Sequence, residues 1–243
     1  MIIQNGLHMN KWFEYKEADI VLDECNTPEK NKLFRDFINK WHSYVKFANA
    51  PQRRINWLIW YGSELVGAIG ISSCVLAVGD RDRWIGWDKE SRLKLSNTMA
   101  NNYRFCLKPD SGIKNLGSRV LKMLRIEGAK RWKERYGDDL LLLETYVLGN
   151  ENRRGAVYLA DNWIHVGMTS GVSISKAAIK LWLKENSSRG KLARIDLKAA
   201  IKKYAVGGEH YHVTKSEPKM IFVKPLVKDW KERILNYKIN SAC

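Results

Sequence analysis

Two stretches of the chain carry side chains suited to acid–base chemistry. Glu144 ends a continuous apolar run, "DLLLLETYV", which predicts a short buried strand. A carboxylate in apolar surroundings has a raised pKa and suits a general base, although a Glu at a strand end also pairs readily with an Arg. Tyr158 lies in "NRRGAVYLADNWIHVG", which predicts a short helix followed by a strand. Its phenol suits proton donation or base stacking, and equally a packed ring with one hydrogen-bond partner.

Further polar candidates lie at the ends of predicted helices. His42 and Tyr44 follow an amphipathic helix, where His42 suits acid–base catalysis or a surface position near the helix dipole. Asn162 presents a donor and an acceptor to a substrate, or ends the helix in the left-handed conformation and directs Trp163 inward. We take His42 and Tyr44 as catalytic candidates, and Asn162 and Trp163 as substrate-binding candidates.

The segment "DRDRWIGWD" interleaves guanidinium groups with indole rings. Arg81 and Arg83 suit phosphates, while Trp84 and Trp87 offer faces for stacking, as in proteins that bind single strands or flipped bases. The alternative is a Trp-anchored loop whose arginines pair with the neighbouring aspartates. Both interpretations remain open from the sequence.

Other residues suit contacts with a phosphate or a base edge. Arg104 lies in the predicted strand "YRFCLK", with Asn101 and Asn102 just before it, and a bidentate Arg fits either target. The remaining expected nucleic-acid contacts are basic: Arg153, Arg154, Lys219 and Lys224.

The charge of the chain favours a polyanionic partner. The formal net charge is +16, and residues 176–243 hold 16 Lys and Arg against 6 Asp and Glu. Neutralising phosphates releases condensed counterions, so this asymmetry indicates nucleic-acid binding, with solvated lysines of a generally basic proteome as the alternative. We therefore expect DNA as a partner.

Several classes of protein are not expected. No window approaches ~18 consecutive apolar residues, and no signal-peptide pattern opens the chain, so we expect a cytoplasmic protein with no membrane contact. The four cysteines lack CxxC spacing and are expected as reduced, mostly buried thiols. His210 and His212 alternate in "EHYH", but no third ligand can be assigned, so no metal is predicted.

The predicted elements alternate along the chain. A helix from Thr27-Pro28 precedes a hairpin around Gly62-Ser63, a strand, a helix over 115–136, a strand, a short helix and a strand. This order predicts an α/β fold with a mixed central sheet and helices on its faces. We expect an N-terminal arm over 1–26, a core over 27–172, and a basic helical insertion with a final strand and tail over 173–243.

The element order resembles the GNAT acyltransferase superfamily. The resemblance implies that Tyr158 reaches toward a reacting thioester and that Trp163 begins the next strand. The motifs "KWHSYVKFANAP", "DRDRWIGW", "NNYRF", "NLGSRVL", "LLETYV", "RGAVYLADNWIHVG" and "IFVKPLVKDWKERI" resemble the DruA family of the Druantia anti-phage systems over about residues 30–235. The core also resembles phage Mom-type DNA modification proteins, which implies acylation-like modification of an adenine amine. Together the two resemblances imply other defence or phage proteins as partners.

One segment departs from the GNAT pattern. The resemblance implies an acyl-CoA-type donor, whose pyrophosphate binds backbone amides beside small residues at a helix N-terminus. Here the segment is Lys114-x-x-Gly117-x-Arg119, and Arg119 replaces the last small residue. The segment then holds another anion, such as a DNA phosphate, or Gly117 eases helix packing. Ser118 is a further substrate-binding candidate.

Two functions from different classes follow. The leading hypothesis is a DNA-associated transferase that modifies a nucleobase in phage or anti-phage biology. In it Glu144, Tyr158, His42 and Arg104 line one site where strands part in the sheet. The alternative is a catalytically silent DNA-recognition module of a defence system or mobile element. A small-molecule acetyltransferase is disfavoured by the altered pyrophosphate segment.

Overall fold

The computed structural model describes residues 20–42, 53–149, 154–174, 176–186, 199 and 213–239. The strands are β1 (Ile20–Glu24), β2 (Arg54–Tyr61), β3 (Glu64–Ser73), β4 (Met99–Leu107), β5 (Leu142–Leu148), β6 (Ile164–Met168), β7 (Val172–Ile174), β8 (Val213–Lys215) and β9 (Lys219–Pro225). The helices are α1 (Pro28–Trp41), α2 (Gly79–Ile85), α3 (Lys89–Leu95), α4 (Leu116–Tyr136), α5 (Ala156–Ala160), α6 (Lys176–Asn186) and α7 (Trp230–Ile239).

Local sequence signals explain where the first elements begin and turn. The Thr27 side chain accepts a hydrogen bond from the Lys30 backbone N–H, with Pro28 at the first helical position, so α1 begins where Pro and a capping Thr favour it. Phe34 and Ile38 are buried on its inner face. The β2–β3 hairpin turns at Gly62, whose φ is +54°. The predicted helix and hairpin are confirmed here.

Seven strands form one mixed sheet in the order β1-β2-β3-β4-β5-β9-β6, and β7 pairs with β8 separately. Neighbours are antiparallel except β4 and β5, which are parallel over residues 99–101 and 142–144. Beyond these residues β4 continues with β3, and β5 continues with β9. The two central strands therefore part in the middle of the sheet, and the expected α/β fold with flanking helices is confirmed.

Side chains of β5 alternate between the two faces of the sheet. Leu143 packs with α4 in one core, while Leu142 packs with α2, α3 and α7 in another. A third core lies under α1. By the same alternation Thr145 lies on the α4 face, and Glu144 and Tyr146 lie on the α2 face. This alternation decides which candidate residues meet.

The structure differs from the sequence-based expectation in several elements. Strand β4 begins at Met99, although the polar and aromatic residues 80–102 predict a loop with a short helix. The segment before β4 contains two short helices, α2 and α3, where the sequence predicts one. The sheet also takes β1 from the segment expected as an arm and β9 from the expected C-terminal elaboration. The tail after β9 begins with the helix α7.

Candidate functional site

An open cavity lies where β4 and β5 part, on the α2 face of the sheet. Its volume is about 730 Å³. The walls come from the loop and first turn over 75–80, from residues 101–104 of β4, from Tyr146 of β5 and from the segment 168–171. His42, directly after α1, also lines the cavity. The parting strands thus border a cavity.

The cavity is lined by more positive than negative side chains. Arg83, Arg104 and Lys219 line it, and Asp80 is the carboxylate among the described lining residues. The Arg83 side chain is 76% exposed and pairs with Asp80, and such surface pairs are weak. Arg104 lies over the Tyr103 ring with its Cζ 5.1 Å from the centroid. An anion entering the cavity therefore meets several positive charges.

Asp80 also connects α2 to the edge of the sheet. Its carboxylate accepts a hydrogen bond from the Met168 backbone N–H at 2.9 Å. A Cβ at Gly167, where φ is +140°, would clash with this carboxylate, so glycine is needed at that position. The contact fixes the strand wall of the cavity relative to Arg83.

Glu144 is fully buried in an ion pair beside the cavity. Its carboxylate accepts hydrogen bonds from Arg81 Nη1 at 2.5 Å, the Tyr146 hydroxyl at 2.8 Å and the Val75 backbone N–H at 2.7 Å. Arg81 also donates to Asp82 at 2.6 Å. Burial alone would lower the pKa of Arg81, but the charge of Glu144 raises it, so the guanidinium stays protonated. Burial and the Glu144 charge raise the pKa of Tyr146.

Tyr158 belongs to a separate network on the α4 face. Its hydroxyl donates to Asn102 Oδ1 at 2.9 Å and lies 3.4 Å from Thr145 Oγ1. The Asn102 amide donates to the backbone carbonyls of Gly70 and Arg104. The Tyr158 ring packs among aromatic side chains in the core. The Asn102 side chain is therefore hydrogen-bonded within the protein. Tyr158 has a packed ring and a hydrogen-bond partner, which is the structural alternative to a role in proton donation.

Glu144 and Tyr158 do not converge on one site. Thr145, which contacts Tyr158, follows Glu144 directly in β5, so the two candidates lie on opposite faces of the sheet. Both are buried, and Glu144 lies within its strand rather than at the end. The expectation that they share an exposed site is wrong, while the pairing of Glu144 with an Arg is observed.

The expected stacking platform of "DRDRWIGWD" is also wrong. Arg81 is fully buried, Trp87 is buried beneath its guanidinium, and Trp84 stacks on Trp230 at 5.0 Å. These three side chains hold α2 against the core instead of facing a ligand. Within the segment, Asp80 and Arg83 line the cavity.

Most other candidates lie away from the cavity. Asn162 has a φ of +55° and ends α5, and Trp163 is buried with its indole N–H donated to Asp161. Lys224 Nζ donates to the Asp161 and Asn162 carbonyls, and desolvation, followed by the charge of Arg125, lowers its pKa. The structure therefore supports the capping interpretation of Asn162.

Four further candidates have simple outcomes. Ser118 Oγ donates to the Asn115 carbonyl in the first turn of α4, away from the cavity lining. Arg154 is exposed just before α5. Tyr44 and Arg153 lie outside the described residues, as do His210 and His212. In the ranges that the structure covers, no group of three potential metal ligands and no helix able to cross a bilayer is found.

Nearly the whole chain matches the model of one known protein family. A family model described as Druantia protein DruA matches residues 16–236. The chain belongs to the DruA family. The motifs that resemble this family in the sequence lie within the matched range. A comparison with curated proteins found no match.

Solved acetyltransferases resemble this DruA-family chain at low identity. The ribosomal-protein-S18-alanine N-acetyltransferase from Escherichia coli is 11% identical, with 85% of this chain and 94% of that chain covered and a TM-score of 0.47. Aminoglycoside 6'-acetyltransferase type Ii is 13% identical, with 86% of this chain and 97% of that chain covered and a TM-score of 0.46. A GNAT family acetyltransferase from Elizabethkingia anophelis with acetyl-CoA bound is 10% identical, with 85% of this chain and 98% of that chain covered and a TM-score of 0.39. With TM-scores below 0.5, these matches support no statement about the superfamily, substrate or mechanism of this chain.

The residues present do not fit an acyl-CoA-type donor between β4 and β5. On the α4 face the gap is bridged by Asn102, Thr145 and Tyr158. A Cβ on Gly117 would clash with Val157, so α5 lies directly against the first turn of α4. This contact supports the interpretation that Gly117 allows close packing of the helices. No reaction step is therefore assigned to such a donor.

Sequence reasoning missed several residues of the cavity. Asp80 and Tyr103 carry no signal of their own, because each lies among similar polar or aromatic residues. Asn101, by contrast, is expected from the sequence, with Asn102, to contact a phosphate or a base edge. It lines the cavity, and its buried Oδ1 has no hydrogen-bond partner in the described part of the chain. The register of the sheet places Asn101 of β4 opposite Glu144 of β5.

Proposed function

We propose that this DruA-family chain binds DNA and holds a nucleotide in the cavity where β4 and β5 part, as a component of a Druantia defence system. The observation that carries the proposal is the charge of that cavity. Arg83, Arg104 and Lys219 converge there against Asp80 among the described lining residues. Phosphate groups are the ligands that guanidinium and ammonium side chains bind best.

The size and lining of the cavity support a nucleotide. Its volume of about 730 Å³ lies in the ~300–1,000 Å³ range of small-molecule sites. Tyr103 and Tyr146 supply aromatic walls. The Asn101 Oδ1, which has no partner among the described residues, accepts a hydrogen bond from an amino group such as that of a base. The net charge of +16 adds attraction for a polyanion over the whole surface.

Transfer of an acyl group to a base is the hypothesis that the geometry supports less. The proposed base, Glu144, is enclosed by three donors, and the proposed acid, Tyr158, lies on the other face. Nucleoside mass spectrometry of DNA from cells with and without the chain tests this hypothesis. A modified nucleoside that depends on the chain would contradict a role limited to binding.

Fluorescence anisotropy with labelled 20-nucleotide single strands and 20-base-pair duplexes tests the proposal. We expect binding whose logarithmic dissociation constant rises linearly with the logarithm of salt concentration. The variant Arg83→Glu should weaken binding at least tenfold and reduce the salt slope by about 1, because one phosphate contact is lost.

The matched control is Lys32→Glu on α1. Lys32 is also exposed and pairs with an acidic residue of its own helix, Asp36, but it lies outside the cavity lining. Its effect should stay within about threefold, since it changes only the long-range field. Equal losses in both variants, or no binding to either DNA form, would overturn the proposal.

A further inference from the structure

The loop between β3 and α2 exposes two adjacent apolar side chains at the cavity. Val75 is 42% exposed and Leu76 is 50% exposed, and Val75 lines the cavity. Single exposed apolar residues are ordinary, and so exposure alone assigns nothing to them. Their surroundings distinguish this pair.

The backbone of the loop is held by the buried ion pair. The Val75 N–H donates to Glu144, and Arg81 donates to the Val75 carbonyl at 2.7 Å and the Leu76 carbonyl at 3.5 Å. Arg81 and Glu144 are both fully buried. Desolvating two charges is costly, and replacing such a pair with apolar residues is often neutral or stabilising. The pair here fixes a loop that presents apolar side chains outward.

The charged cavity beside the loop indicates what the loop contacts. Arg83 and Lys219 attract a polyanion, while the faces of its bases are apolar. Apolar side chains of proteins that bend or open DNA enter between stacked bases, and a displaced base enters a pocket. An apolar pair beside a nucleotide-sized cavity has this arrangement.

We propose that Val75 and Leu76 form a wedge that enters the base stack while one nucleotide turns out into the cavity. This inference rests on the proposed function, because it requires that DNA binds at the cavity. The buried Arg81–Glu144 pair acts as the support that keeps the wedge in position. Asn101 then accepts a hydrogen bond from the amino group of the displaced base.

The test compares the full chain on three 20-base-pair probes. One is fully paired, one has a central mismatch, and one carries 2-aminopurine at the central position. We expect at least tenfold tighter binding to the mismatched duplex, because a mismatched base has already lost the pairing that must be broken in a matched duplex. Fluorescence of 2-aminopurine should rise on binding, since the base leaves the stack.

Two matched variants locate the effect. Leu76→Ser should keep its affinity for a single strand within about twofold but lose the mismatch preference and the fluorescence rise. Ile126→Ser is the control: Ile126 is 66% exposed on α4, outside the cavity lining. It should behave like the unchanged chain.

The outcomes separate the two proposals. Binding without mismatch preference or fluorescence rise overturns the wedge and leaves DNA binding standing. A fluorescence rise that survives Leu76→Ser, or is lost equally in Ile126→Ser, also overturns the wedge. No binding to any probe overturns both proposals.

Discussion

The substitution Glu144→Gln tests whether this carboxylate holds the structure or performs chemistry. Glu144 accepts hydrogen bonds from Arg81, Tyr146 and Val75 in a fully buried position. A Gln keeps one acceptor oxygen, which can serve Val75, but turns an amide donor toward Arg81. The negative charge opposite a buried guanidinium is also lost.

The expected loss of stability is about 3 kcal/mol. Removing one partner of a buried pair costs about 3–5 kcal/mol, and the lower end applies because Arg81 keeps its hydrogen bonds with Asp82. With a urea m-value of about 3 kcal/mol per M, the midpoint falls by about 1 M. Urea unfolding followed by circular dichroism and tryptophan fluorescence measures this shift.

A surface pair supplies the matched control. Glu64 pairs with Lys108 in an exposed position, so Glu64→Gln should cost less than about 1 kcal/mol. In a double-mutant cycle with Arg81→Met, the double variant should lose at least about 1 kcal/mol less than the two single losses together. Glu144→Gln with unchanged stability but abolished nucleoside modification would refute this reasoning and assign catalysis to Glu144.

Three further predictions concern packing and protonation. Tyr158→Phe should cost about 1–2 kcal/mol in unfolding free energy, measured in urea, because it leaves a buried amide acceptor without its donor; an unchanged midpoint would contradict the network. Gly155→Ala should lower the melting temperature well below that of Gly62→Ala, since both have positive φ but only Gly155 would place a Cβ against Phe222; equal losses would exclude the clash. Burial raises the pKa of Cys25 and Cys74 to about 12 and that of Cys106 to about 11. In a Cys243→Ser variant, alkylation of these thiols should therefore be slow at pH 8 and should accelerate toward pH 11 as the thiolates form. Fast labelling at pH 8 would show that the thiols are accessible.

Elements with strong local signals were predictable from the sequence. The capping Thr27 and the apolar spacing of Phe34 and Ile38 predicted α1, and the spacing over 115–136 predicted α4. The run that contains Glu144 predicted a buried strand, which is β5. In each case hydrogen bonding or burial within a few residues determines the conformation.

The candidate site was less predictable because it depends on distant segments. Alternation in β5 separates Glu144 from Thr145, but the face that α5 covers is decided by packing between elements remote in sequence. Arg81 and Arg83 are the same residue type in similar sequence surroundings. The turn of helix α2 buries Arg81 and exposes Arg83. Their neighbours in sequence carry no sign of which arginine meets Glu144, 63 positions away.

The insertion of β9 between β5 and β6 has a consequence for biosynthesis. β5 meets β4 over three residues but β9 over seven, and in the described sheet β6 pairs with β9. A nascent chain therefore carries an apolar strand with an unsatisfied edge until residues 219–225 have left the ribosome. Such edges recruit chaperones or other nascent chains, so the yield of folded protein should depend on translation speed and growth temperature.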